Sequence, residues 1–362
     1  MNKESGNISA FSIAFIIIGA LFGAAFASGQ EVMKFFCSYG TMGALGFAVC
    51  FILYMTLGYM AYQLVKVRDS DKMEEIVAPA DNIILRKLIS LVMMFCFLVI
   101  LVALLAAGDA LCMSQLGLPK GAGGLFITAL VVATNIVGFD GIKKIMPLII
   151  PVMLVVMLAT IVGILLFTEP AAEKNPGQFM SPLAPNWFIG AVLYLAYNFI
   201  AVIPIISTMP KNKESGKTVF KGMFAGFLST CAFGLLLYLA VMTDIDKAGT
   251  FEIPMAYLSG KLSPIAGTIY SLVMAVAIYA SSSNCLYGLT KEIKKENRKK
   301  RAAIIILIGT GAYFVSLAGF SVLITYVYPV QGYSCILIAI CLIITYFRFR
   351  NRKRRQPSQK AD

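Results

Sequence analysis

Four groups of polar residues stand where the surrounding sequence is almost wholly apolar. The first is Ser28-Gly29-Gln30-Glu31, followed by Lys34. It has the S-x-x-E spacing of a capping box, in which the serine oxygen accepts from an early helix N–H and the glutamate reaches back to the cap. A carboxylate inside an apolar run is costly, so Glu31 carries three readings: a proton-coupling group, a gate residue paired with Lys34 or Asp109, or a plain helix cap. The second group is Tyr197-Asn198, and an asparagine in such surroundings needs a hydrogen-bond partner. The third is Ser281-Ser282-Ser283-Asn284. Three consecutive hydroxyls point in three directions, so at least one faces inward, where neutral oxygens suit a hard cation such as sodium. Asp109 stands alone as the fourth.

Other chemistries lack their residues. The chain has no histidine, and its eight cysteines lie scattered through apolar segments without C-x-x-C spacing. Zinc, haem and iron–sulfur sites are therefore not expected, no metal beyond a possible sodium ion is implied, and the cysteines read as small buried hydrophobes. No P-loop or other nucleotide motif is present, and no enzymatic centre is expected.

The elements that hold these groups follow from composition. Of 362 residues, 59% are hydrophobic and 14% charged, with mean hydropathy +0.82; an all-α integral membrane protein is the consequence. Reading at about 20 apolar residues per crossing gives about ten transmembrane helices, near 11–37, 41–66, 88–113, 121–140, 144–168, 186–209, 219–242, 264–289, 303–321 and 326–347. The turn separating the last two is expected around Phe320 to Thr325. Residues 67–87 and 245–263 are connections with room for short helices. The polar stretch 1–10 lacks the pattern of a cleaved signal, so the first apolar segment is expected to remain.

The net charge of +13 is distributed by topology rather than for nucleic acid. Of 31 Lys and Arg, 26 fall on one side of a ten-span arrangement; the other five are Lys34, Lys120, Lys174, Lys247 and Lys261. This positive-inside bias expects both termini in the cytoplasm. Asp140, beside Lys143 and Lys144, reads as a boundary charge.

Ten spans divide as five plus five: residues 1–168, an outer loop 169–185, residues 186–347, and a basic tail 348–362. The first span carries Gly19, Gly23 and Gly29 among alanines, and a helix start at Ser28 when a helix is already under way. The chain is expected to stop and restart there. In the sixth span, Pro204 follows Tyr197-Asn198 where a continuous helix would lose a backbone bond. Discontinuous first and sixth helices in a 5+5 inverted repeat are a solute-binding device of secondary transporters. Gly19-to-Gly23 spacing is also an ordinary helix-packing surface.

GAAFASGQE (23–31), LYLAYN (193–198) and ASSSNCLYG (280–288) resemble the YkvI-type bacterial membrane proteins, within the amino acid-polyamine-organocation superfamily and its leucine-transporter fold. The resemblance spans most of residues 8–347 and implies alternating access in a bacterial plasma membrane. It also implies a small solute, an amino acid or related amine, moved with sodium or protons. Carried over, a sodium site would use the carbonyls of Gly19 and Phe22 with hydroxyls from two of Ser281, Ser282 and Ser283. A substrate carboxylate would meet backbone N–H groups around Gly23, Ala24, Ala25, Phe26 and Ala27, with Tyr197 and Asn198 opposite. Glu31 departs from that pattern, since its charge favours a cationic, neutral or differently oriented solute. A ligand-sensing membrane subunit of the same fold, as in germinant receptors, is the alternative function.

Overall fold

Ser9 starts the first helix by accepting the Ser12 N–H on its side-chain oxygen at 3.1 Å, a normal N-cap. In this computed structural model, which describes residues 9–68, 73–79, 82–138, 140–171, 174–208, 216–290 and 298–355, the described residues are helical with no strand. The helices are α1 (Ala10–Leu21), α2 (Ala24–Ala27), α3 (Gln30–Phe35), α4 (Thr41–Arg68), α5 (Met73–Val77), α6 (Ile83–Leu116), α7 (Ala122–Val137) and α8 (Asp140–Phe167). They continue as α9 (Trp187–Thr208), α10 (Gly216–Val241), α11 (Ile245–Ala248), α12 (Pro254–Leu262), α13 (Pro264–Thr290), α14 (Arg298–Ser316), α15 (Phe320–Val322) and α16 (Tyr328–Arg355). Seven stretches are long and apolar enough to cross a membrane: α4, α6, Ile149–Phe167, Trp187–Ser207, α10, α13 and Phe320–Asn351; α1 and α7 are shorter apolar helices. The chain is an all-helical, multi-pass membrane protein.

The first segment is interrupted as its glycines suggested. Phe22 N–H closes on Ile18, and among the described residues the next backbone bond along this segment is Ala27 N–H to the Gly23 carbonyl. The chain is extended between them, with Gly23 at φ −91°, ψ 169°.

The sixth segment corrects the expectation of a second break: α9 is one continuous helix with Pro204 inside it. Pro204 stands four residues before the end, so its missing N–H removes one late bond and the helix tolerates it. The Asn198 amide donates to the Tyr194 carbonyl of its own helix at 3.0 Å and needs no break.

The separation between the last two long segments also lies earlier than expected. It falls at 317–319, where Gly319 takes φ 102°; α15, a π-helical turn Leu323–Val327 and α16 then run on together. The basic tail begins inside α16, and residues 356–362 lie outside the described ones. Asp140 opens α8, but its side chain also lies outside them.

Two packed groups position the site. In one, α1 lies on α10, and α4 on both α9 and α10; in the other, α6, α7, α13 and α14 contact one another. Glycines make the first contact possible. A Cβ on Gly222 would come within 2.6 Å of Ile13, and one on Gly226 within 3.0 Å of Ile17.

Candidate functional site

The interrupted first segment borders a cavity of about 400 Å³ between the two groups, within the roughly 300–1,000 Å³ of small-molecule pockets. Gly19, Phe22 and Gly23 supply one wall, Tyr197 and Pro204 of α9 another, and Ser281 and Asn284 of α13 a third; α6 and α8 complete it with apolar side chains and Cys96. No charged side chain among the described residues lines it. The lining comes from the halves of α6, α8, α9 and α13 nearest the side on which α1 begins. The cavity thus lies between the break and the N-terminal side.

Gly23 faces open space, with nothing within 4 Å of a Cβ built on it. Its spacing from Gly19 therefore does not serve close helix packing here, although Gly19 itself approaches Ile150 at 3.1 Å. Of the three serines, Ser281 lines the cavity. Ser282 and Ser283 are fully buried in the packing of α13, and their hydroxyls have no partner among the described residues. Asn135 reaches Ser283 through its carbonyl instead, at 3.2 Å.

Beyond the break the capping box takes a different form. Gly29 adopts the left-handed conformation, φ 81°. The Ser28 hydroxyl donates to Ala25 at 2.6 Å and accepts the Gln30 N–H at 3.1 Å, while the Ser28 N–H bonds Ala24. Nothing is left for Glu31 to cap. The left-handed residue makes Gly29 the N-cap and leaves the serine one position farther from the helix start than S-x-x-E spacing implies. Two long-range bonds hold this junction: the Tyr270 hydroxyl to the Ala27 carbonyl at 2.5 Å, and Met255 N–H to the Ser28 carbonyl at 3.1 Å.

Glu31, 4% exposed, sits instead among tyrosines. Tyr54, Tyr194, Tyr197 and Tyr328 all lie within electrostatic reach of its carboxyl. Tyr197 stands between it and the cavity, its ring at the cavity wall and its hydroxyl within reach of the Glu31 carboxyl. Rings pack tightly there, Tyr197 lying 5.2 Å from Tyr328 and 5.7 Å from Phe35.

Neither expected partner pairs with Glu31. Lys34 turns away, its Nζ 5.7 Å above the Phe179 ring, with Glu252 the acid nearest in effect. Asp109 accepts the Gly121 N–H on both oxygens, at 3.0 and 2.9 Å, and the Gly124 N–H at 2.9 Å. It caps α7 rather than pairing with Glu31.

Sequence reasoning singled out Tyr197 but passed over Tyr54, Tyr194 and Tyr328 around Glu31, and gave no role to two fully buried glutamines, Gln30 and Gln331, whose amides have no partner among the described residues. The available signal was the cost of an amide in an apolar run, which applies to glutamine as it does to Asn198.

No family model matches the chain. It is 26% identical over 332 residues to the "Uncharacterized membrane protein YkvI" of Bacillus subtilis (strain 168), covering 91% of this chain and 94% of that one. It is 22% identical over 335 residues to the "Uncharacterized protein YyaD" of the same organism, with the same coverage. Among solved structures, a mutant of the manganese transporter of Eremococcus coleocola superposes with TM-score 0.49 at 12% identity, over 94% of this chain and 84% of that one. The likeness to YkvI that three short motifs suggested therefore extends along nearly the whole chain.

Proposed function

We propose that this protein is a secondary transporter that moves a small organic solute by alternating access, with an amino acid or related amine as the substrate class. The observation that carries the reading is the interrupted first helix bordering a small-molecule-sized cavity on one side of the break. On the other side of the break, Phe35, Phe36 and Tyr194 fill the space, and Met255 of α12 lies over Gly29. Free carbonyls at the end of α1 suit an ammonium group, and free N–H groups at Ala24 to Phe26 suit a carboxylate. An uncharged lining suits a solute whose charges cancel or are met by backbone.

The leucine-transporter type of fold, with ten helices as two inverted fives, is part of the proposal. It is supported by the pairing of helices. Taking α1, α4, α6, α7, α8, α9, α10, α13, α14 and α16 as the ten in order, the first packs on the seventh and the second on the sixth, while the third packs on the ninth and the fourth on the eighth. Adding five to one partner and subtracting five from the other exchanges the members of each set, which is what a two-fold pseudo-symmetry requires.

Two coupling ions use different residues. Protons would use Glu31, buried without a cation and screened from the cavity by Tyr197. Sodium would use the Gly19 and Phe22 carbonyls with Ser281, all of which line the cavity.

The test is thermal unfolding of purified protein against amino acids and amines, each with sodium and with a nonpermeant replacement, followed by counterflow in proteoliposomes. Binding stabilises the folded state by mass action. A stabilising solute that also exchanges across the vesicle supports the transporter. A solute that binds without exchanging supports the sensing subunit and sinks the transport reading.

A further inference from the structure

A second concavity, of about 520 Å³, opens between the end of α4 and the start of α10, on the same side as the N-terminus. Lys66, Lys217 and Lys221 line it, and no acidic residue among the described ones does. Lys217 and Lys221 are four apart on α10, where like charges on neighbouring turns repel. Lys66 holds its Nζ 5.3 Å above the Tyr62 ring.

The decisive atom is the Tyr62 hydroxyl. The residue is 3% exposed, and its oxygen is buried with no hydrogen-bond partner among the described residues. A Cβ at Gly216, which also lines the pocket, would lie 3.8 Å from that oxygen, so the hydroxyl stands at the pocket wall. A buried hydroxyl without a partner is unfavourable. An acceptor carrying negative charge would relieve both that deficit and the lysine repulsion.

The rim identifies the source of the acceptor. Tyr59 and Phe220 line the same concavity and are exposed at 42% and 47%, on helices that are themselves apolar enough to span the membrane. An anion here is bordered by surface that acyl chains cover. We propose that the pocket binds the phosphodiester headgroup of an anionic phospholipid, with the three ammonium groups around the phosphate and the Tyr62 hydroxyl donating to one of its oxygens. Basic pockets between helices at the membrane surface are suited to such headgroups.

The experiment measures thermal unfolding of the purified full chain in detergent supplemented with phosphatidylglycerol, with phosphatidylcholine, or with inorganic phosphate. Phosphatidylglycerol should raise the midpoint above phosphatidylcholine, and inorganic phosphate should leave it unchanged. Combined Lys66→Gln, Lys217→Gln and Lys221→Gln should abolish the difference between the lipids. Arg298→Gln, Lys299→Gln and Arg350→Gln together, which remove as much charge elsewhere, should preserve it. Equal response to both lipids, equal loss in the two triple variants, or full reproduction by inorganic phosphate would each overturn the proposal. Native mass spectrometry decides the matter should the pocket triple not fold. The wild type should retain phosphatidylglycerol in preference to phosphatidylcholine and Tyr62→Phe should retain less; no preference in the wild type refutes the site.

Discussion

Glu31 is buried at 4% exposure with no ion pair among the described residues, and an uncompensated buried carboxylate costs several kcal/mol. Protonation spares a buried carboxylate that cost, which is the basis of the proton-coupling reading. Glu31→Gln keeps the shape and the neutral form. We expect the variant to fold and to retain solute counterflow, while accumulation driven by a pH gradient falls to background. Accumulation that survives the change would take the proton from Glu31 and leave Ser281 with sodium as the coupling site. A second titrating pair lies outside the spans, where Lys261 bonds Asp244 at 2.8 Å and the Tyr257 hydroxyl donates to the same oxygen at 3.2 Å. Burial pushes the Asp244 carboxyl up, but the bond and charge of Lys261 outweigh it and hold the group below its ordinary range. A depressed folded pKa adds stability above the unfolded value and loses it as pH falls through the folded one. Acidification below about pH 4 should therefore lower the unfolding midpoint of the wild type more than that of Asp244→Asn. Glu31 was legible in the sequence because a carboxylate cannot be hidden in an apolar run. Its role as a cap was misread because residue spacing does not reveal the sign of φ at Gly29.

The break in the first helix depends on two glycines that do different things. At Gly29 a side chain would be strained by φ 81° and would meet Met255 at 2.8 Å. Gly29→Ala should lower stability by about 1–3 kcal/mol, read from thermal or denaturant unfolding. At Gly23 the backbone suits any residue and the space is open. Gly23→Ala should leave the unfolding midpoint near that of the wild type and weaken the shift produced by the solute, because the added methyl enters the cavity. The reverse ranking would mean that the cavity is not where the solute sits. The first break was readable because small residues and a helix-start signal recur where a helix is already running. The continuous sixth helix was not, because Pro204 disrupts by an amount that depends on its distance from the helix end and on what Asn198 bonds, and both are matters of local geometry. Short helices in the outer connection were foreseen as room rather than as structure. What α12 does there, donating to Ser28 and covering Gly29, depends on contacts between residues more than 200 positions apart.

At the scale of the molecule, hydropathy identified the helices and charge asymmetry expected their orientation, but neither indicated which helix touches which. That information resides in complementary surfaces such as Gly222 and Gly226 receiving Ile13 and Ile17. The same contact bears on how the chain is made. Gly222, against which Ile13 packs, is synthesised later, which at about 5–20 residues per second leaves that face of the first helix waiting roughly 10 to 40 s in the bilayer. The second long helix waits in the same way for α9. Neither half can complete its own packing, so residues 1–168 made alone should be a substrate for membrane proteases. Made together as separate chains, the two halves should protect each other. Biogenesis of this protein is then less a sequence of domains folding in turn than a held, incomplete surface that closes when its second half arrives.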